Sequence, residues 1–198
     1  NVPQRYALAV EATPPPRAAL LPHIWLSDEE IRQGQRLLEQ LPDKAGTPPI
    51  ALHPYATHPD KAWKEAYWRQ LMELFESRGI PWIVIGRGSG MEGIPASCNF
   101  TNRTSLRETC ALLKSSSLLI TGDSGPMHLA GAVGTPVLAL FGPTTEEWGF
   151  FPAGPKDRVL ESQLDCRPCT LHGKKHCDRN HACMQSITPE QVMRALDE

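Results

Sequence analysis

The sequence predicts an α/β fold, a Rossmann-like parallel sheet with flanking helices, and three observations carry that prediction. From position 50 onward, short buried apolar runs alternate with longer amphipathic ones. One run, Val137-Leu138-Ala139-Leu140-Phe141, is apolar throughout and needs cover on both faces, as a strand inside a parallel sheet does. Leu118-Leu119-Ile120-Thr121 breaks at Gly122 and opens directly into a helix, the kind of junction at which open α/β sheets bind ligands.

Taken in order, residues 1–26 read as a linker arm, because Pro14, Pro15, Pro16 and Pro22 favour extended polyproline geometry over a packed element. Residues 27–198 read as one domain. Ser27 with Glu30 forms a capping box ahead of the stripe Ile31, Leu37, Leu38 and Leu41, which predicts a helix over 28–40 closed by Pro42. Ile50-Ala51-Leu52-His53 is the first strand. The helix returning over it spans 65–78, with Trp68, Leu71, Met72 and Phe75 on one face and Gly79 at its end. Trp82-Ile83-Val84-Ile85 is the second strand, and Ser105 with Glu108 caps a helix through Ala111, Leu112 and Leu113. The third strand, 118–121, is followed by a short helix around 127–132 that stops at Gly134, and 137–141 is the fourth. A Cys-rich loop over 165–184 precedes a C-terminal helix over 189–197, with Thr188 as cap and Pro189 at the first helical position.

Composition narrows the function. A net charge of -2 and a pI near 6.4 exclude the basic excess that a phosphate-tracking surface needs, so no nucleic acid is expected as partner. No apolar run is long enough to cross a bilayer, and Asn1-Val2-Pro3-Gln4-Arg5 lacks a signal-peptide layout, which predicts a cytoplasmic protein. The opening without Met reads as a piece of a longer chain.

The chemistry concentrates in Thr121-Gly122-Asp123-Ser124-Gly125-Pro126-Met127-His128. The first turn of the helix leaves backbone N–H groups unpaired, and with the helix dipole they suit an anion such as a diphosphate. Gly125 permits close approach, Pro126 fits an opening turn, and Asp123, ahead of the amides, suits sugar hydroxyls rather than phosphate. The same spacing also fits an ordinary turn in which Asp123 or Ser124 caps the helix.

This block, continued by Gly131-Ala132-Val133-Gly134-Thr135-Pro136 and Phe141-Gly142-Pro143-Thr144, resembles the donor-site signature of glycosyltransferase family 9, the lipopolysaccharide heptosyltransferases. His53-Pro54, Lys61-Ala62-Trp63 and the Cys-rich loop extend the resemblance over roughly residues 50–198. It implies the C-terminal, nucleotide-sugar-binding half of a GT-B enzyme that transfers heptose from ADP-heptose to the lipopolysaccharide core with inversion. It further implies that Lys61 meets the diphosphate, Ser124 and Gly125 contact it through the backbone, Asp123 holds the sugar, and Thr104 lies near the adenine. His128 then points into the same pocket; Met127, Gly142 and Thr144 belong to the donor site, and Glu92 is the candidate acidic residue near the nucleoside. The catalytic base is expected in an N-terminal domain, making this chain inactive alone, with no cofactor and with peripheral association at the inner membrane. Two other readings stand beside it: a non-catalytic nucleotide-binding module, and a metal-stabilised interaction domain.

Gly86-Arg87-Gly88-Ser89-Gly90 follows a strand but lacks the third glycine of a dinucleotide fingerprint, and reads as a mobile loop over the nucleoside. Cys166, Cys169, Cys177 and Cys183, with His172, His176 and His181 among them, have the count and spacing of a zinc site. The resemblance favours the other reading, reduced thiols that pack without metal.

Overall fold

The structure, a computed structural model, describes residues 1–42, 46–170 and 177–197. Five parallel strands, β1 (Ile50–His53), β2 (Trp82–Val84), β3 (Leu118–Gly122), β4 (Val137–Phe141) and β5 (Arg158–Glu161), form one sheet in the order β2-β1-β3-β4-β5. The helices are α1 (Val2–Ala7), α2 (Asp28–Leu38), α3 (Glu65–Ser77), α4 (Leu106–Lys114), α5 (Gly125–Val133), α6 (Ala182–Gln185) and α7 (Pro189–Asp197).

Strand side chains alternate faces, and the core divides accordingly. Ile50, Leu52, Val84, Ile120, Leu138 and Leu140 point to one side, where α3 and α7 cover them with Trp68, Leu71, Phe75, Val192 and Met193. Ala51, Ile83, Leu119, Val137, Ala139 and Phe141 point to the other, under Leu112 and Leu113 of α4 and Met127, Ala130 and Val133 of α5. Helix α2 lies outside this layer, its Leu37 and Leu38 packed against the same cluster.

Local signals act where the sequence puts them. Ser27 and Glu30 close a reciprocal capping box, as do Ser105 and Glu108, and Thr188 exchanges the same pair of bonds with Gln191. Helix α2 ends at Leu38 rather than 40, and β2 stops at Val84, one residue short of the expected strand. Three elements lie outside the sequence reading. Strand β5 is a half-exposed edge bracketed by Arg158 and Glu161, too short and too charged to announce itself. Helix α6 is a single turn. Helix α1 forms in the proline-rich arm because Asn1 and Gln4 make their own capping box with Pro3 in the first turn, where a missing N–H costs nothing.

That arm is held to the domain. Val2 N donates to Gly149 O at 3.2 Å, Arg5 reaches Glu147 O, and Arg17 binds the carbonyls of Pro152 and Ala153 while stacking on Phe151. Ile24 N then donates to Ala132 O at the end of α5.

Helices α2 and α4 approach so closely that a Cβ on Gly34 would lie 2.7 Å from both the carbonyl carbon and oxygen of Ala111. Backbone cannot yield as a flexible side chain can, so Gly34→Ala is expected to destabilise by about 1–2 kcal/mol despite the better helix propensity of alanine. Urea unfolding measures it; equal or greater stability would mean that the two helices stand further apart.

Candidate functional site

The strand order reverses at β1: the chain steps outward to β2, then returns to place β3 on the other side. A crevice opens at such a switch point beyond the carboxyl ends of the strands. His53 ends β1 and is the register partner of Thr121 at the end of β3. Its ring is buried, and Nδ1 lies 3.1 Å from Thr121 Oγ1 and 3.3 Å from Ser124 Oγ, while the two hydroxyls stand 2.9 Å apart. Burial pulls the His53 pKa from 6.5 down to about 4, so the ring is neutral at pH 7.

Because the Ser124 hydroxyl is engaged here, it makes no cap on α5, unlike the serines that begin α2 and α4. In the opening turn of α5 Pro126 has no N–H and Met127 N donates to Ser124 O at 3.2 Å, which leaves the Gly125 amide at the crevice; Gly125 is exposed, with no atom within 4 Å of where a Cβ would stand. Asp123, one residue before Ser124, accepts a hydrogen bond from Lys61 Nζ at 2.6 Å. The side chains are only 14% and 16% exposed, which sets this ion pair apart from the solvent-screened pairs elsewhere on the surface. Lys61 sits in a short 3-10 turn, 59–61, whose place is held from the C-terminal segment: Asp60 Oδ1 meets His181 Nε2 at 2.8 Å, and Trp63 Nε1 donates to Ile187 O at 2.8 Å.

Beside this pair lies a cavity of about 500 Å³, a size suited to a small-molecule ligand. Tyr55, Arg87, Thr104 and Ser124 supply polar groups around an apolar wall of Leu106, Pro126 and Leu129. Leu106 is 70% exposed, an apolar side chain presented at the cavity mouth rather than packed away. The rings of His53 and Tyr55 press against the backbone at Gly86 and Gly88, leaving no room for a Cβ at either. The sequence reads 86–90 as mobile, whereas Asn102 ties Gly88 with two hydrogen bonds, of 3.2 and 2.8 Å. Tyr55 Oη is anchored 2.6 Å from Thr101 Oγ1.

The cavity lining thus holds Thr104, Ser124 and Gly125, while Lys61 pairs outside it with Asp123, the chain neighbour of Ser124. Met127 is buried in the core, facing the sheet. His128 is exposed and lines a separate groove of about 340 Å³ with Gly131, Phe150 and the N-terminal arm. Partial desolvation lowers its pKa and the Asp123 carboxylate opposes that shift, so the imidazole lies within electrostatic reach of the pair. Glu92 is exposed and outside the cavity lining, on a loop whose Glu92 carbonyl accepts from Arg69.

Gly142 and Thr144 follow β4 and are held by Arg167, which the sequence reading did not single out. Its buried guanidinium binds the carbonyls of Gly142, Ser162, Phe141 and Thr144 and the Glu161 carboxylate. The Thr144 and Thr145 hydroxyls are shielded from water and find no hydrogen-bond partner among the described residues, a cost of about 1–3 kcal/mol for each group left unmet. Met184 and Cys183 pack against Gly142, and burial raises the Cys183 thiol pKa. Among the described residues no three His, Cys, Asp or Glu side chains group as metal ligands; His172 and His176 lie outside those residues. No helix among them is long and apolar enough to cross a membrane.

Comparison with known proteins bears on this geometry. The model of glycosyltransferase family 9 (heptosyltransferase) matches residues 2–178. The lipooligosaccharide heptosyltransferase 2 of Haemophilus influenzae is 29% identical over 218 residues, covering 98% of the chain and 61% of that protein. Lipopolysaccharide heptosyltransferase 1 of Pseudomonas aeruginosa is 35% identical over 153 residues, 70% of the chain and 40% of that protein. The chain therefore spans less than two thirds of the length of either. Among solved structures, the family 9 glycosyl transferase of Veillonella parvula superposes with a TM-score of 0.65 at 25% identity, over 88% of this chain and 52% of its own. The E. coli ADP-heptose heptosyltransferase II gives 0.65 at 23% identity, over 90% and 53%, and speaks for the fold alone.

A buried histidine held neutral has a definite pH signature. Its folded pKa lies below the unfolded value, so between about 6.5 and 4 the unfolded chain binds the extra proton and the fold loses stability as pH falls. Wild type should forfeit about 2 kcal/mol through this group between pH 7.5 and 5, a loss that His53→Gln cannot suffer. The stability gap between the two should narrow by that amount in urea unfolding at the two pH values. A constant gap would mean that His53 is not a desolvated neutral ring.

Proposed function

The chain belongs to glycosyltransferase family 9, and on that footing we propose that it binds a nucleotide-sugar donor, ADP-heptose, for transfer of the sugar to a lipopolysaccharide core. The observation that carries the proposal is the Lys61–Asp123 pair standing beside the uncapped first turn of α5. A cation and the Gly125 amide at the start of a helix suit a diphosphate, and a carboxylate next to them suits sugar hydroxyls. The donor's name comes from the E. coli neighbour, which is called an ADP-heptose heptosyltransferase.

In this reading the nucleoside occupies the 500 Å³ cavity, with Thr104 and the apolar wall of Leu106, Pro126 and Leu129 around it. The diphosphate lies over Gly125 and Lys61. The sugar extends toward Asp123. His128 lines the adjoining groove rather than the nucleoside pocket. Glu92 has no part in this arrangement.

Transfer proceeds with inversion: an acceptor hydroxyl, deprotonated by a carboxylate, attacks the anomeric carbon as Lys61 and the Gly125 amide at the start of α5 take up charge on the departing diphosphate. These fixed donors neutralise charge without a cofactor. The base and the acceptor site belong to the part of family members that this chain does not span, and the acceptor puts the reaction on the cytoplasmic side of the inner membrane, with peripheral association. The arm 1–26 and the domain 27–198 divide the chain in the same scheme.

ADP should raise the melting temperature of the chain, since a ligand bound only by the folded state stabilises it. Lys61→Ala should weaken ADP by about 1.5–3 kcal/mol, the range for hydrogen bonds to charged groups. Calorimetric titration checks this, and unchanged affinity would remove Lys61 from the diphosphate site.

With donor bound but no base and no closed cleft, the chain alone should release no ADP from ADP-heptose in the presence of a lipopolysaccharide acceptor, because aligning the reactants accounts for many orders of magnitude in rate. Turnover at the rate of a complete family member would put the base within these 198 residues.

A further inference from the structure

We propose that Asp123 is a specificity-determining residue that makes the site favour the sugar-linked donor over free ADP, through its competition for Lys61. The inference rests on the donor-binding reading above and adds a direction to it. Lys61 and Asp123 are already joined at 2.6 Å, both largely shielded from water. Any diphosphate that takes Lys61 must therefore draw it away from, or share it with, a carboxylate that solvent cannot readily rescue. Leaving a shielded charge without its partner is costly, more so than the pair itself is favourable.

The two nucleotides differ in how they repair that loss. With a nucleotide sugar, Lys61 turns to the diphosphate while the sugar hydroxyls donate to Asp123, so both members of the pair find a replacement. With free ADP, Lys61 is satisfied and Asp123 is not. Its carboxylate then faces a terminal phosphate that carries one more negative charge than the same phosphate esterified to a sugar. Specificity is a difference of affinities, and here the repulsive element acts on the product while the attractive one acts on the substrate. The pair reads the two ends of the donor together and favours departure of ADP after transfer. His128, which feels the same carboxylate, stays in the open groove and does not replace Lys61 as its hydrogen-bond partner.

The test is a double-mutant cycle on this chain with ADP and ADP-heptose, read by calorimetric titration. Asp123→Asn keeps the shape and removes the charge. It should bind ADP about fivefold more tightly than wild type and ADP-heptose no more tightly, so that the preference between them shifts toward ADP. In the Lys61→Ala background the same substitution should tighten ADP less than it does in wild type, because only the repulsion of the terminal phosphate is left to relieve; an equal gain overturns the competition for Lys61. Unchanged or weaker ADP binding by Asp123→Asn, with Lys61→Ala still impaired, overturns the competition and leaves the diphosphate site standing. Unimpaired ADP binding by Lys61→Ala overturns both. A measurement on the unsubstituted chain guards against a variant that fails to fold: the β-methyl ester of ADP, whose terminal phosphate has one charge fewer, should bind more tightly than ADP. Equal or weaker binding of the ester also overturns the proposal.

Discussion

The site depends on what the Ser124 hydroxyl does. In α2 and α4 the serine before the first helical residue closes the helix on itself, and the amides of the first turn are satisfied locally. In α5 the equivalent serine is turned toward His53 and Thr121. The neutral, buried imidazole anchors a cluster across the ends of β1 and β3, and the consequence is a helix terminus that the serine side chain does not cap and at which the Gly125 amide stays open. A protonated His53 could only donate from Nδ1, so the depressed pKa and the open helix end are parts of one arrangement.

The loops that frame this terminus are positioned from the far end of the chain. Parallel strands deliver the loops that follow them to one end of the sheet, where the sheet itself has no further hydrogen bonds for them. His181 and Ile187 hold the turn bearing Lys61, and Arg167 gathers the carbonyls that follow β4 together with Ser162 beyond β5. Arg167 and His181, from the Cys-rich segment, thereby brace the loops at that end of the sheet. Their role lies in connecting residues 59–63 to 142–144, two stretches with no direct connection in the sheet.

Much of this was legible in the sequence, and the division has a physical cause. Strands β1, β3 and β4 are largely buried and read as apolar runs, and the reciprocal caps of α2, α4 and α7 are local by nature. Strand β5, half-exposed and ended by charges, has neither signal. At the site, Lys61, Asp123 and Ser124 could be named from a motif, but that Lys61 and Asp123 pair could not, because they lie 62 residues apart and only the strand order joins them. Arg167 was invisible for the same reason: its partners are carbonyls, which have no signature in a sequence. His128 follows the helical spacing from Ser124, yet that spacing turns it to the adjoining groove.

The strand order has a further consequence, for the history of the chain as it folds. Strands β1 and β2 and the helix between them form a local unit that can assemble early, but His53 waits for Thr121, its neighbour across the sheet and 68 residues away in sequence. Long-range parallel pairing of this kind closes a large loop before any contact rewards it, and is slow. The crevice therefore has no precursor. Until β3 inserts beside β1 there is no Ser124 within reach of His53 and no Asp123 within reach of Lys61. Any ligand of the crevice would act on the rate at which β3 leaves rather than on the rate at which it arrives.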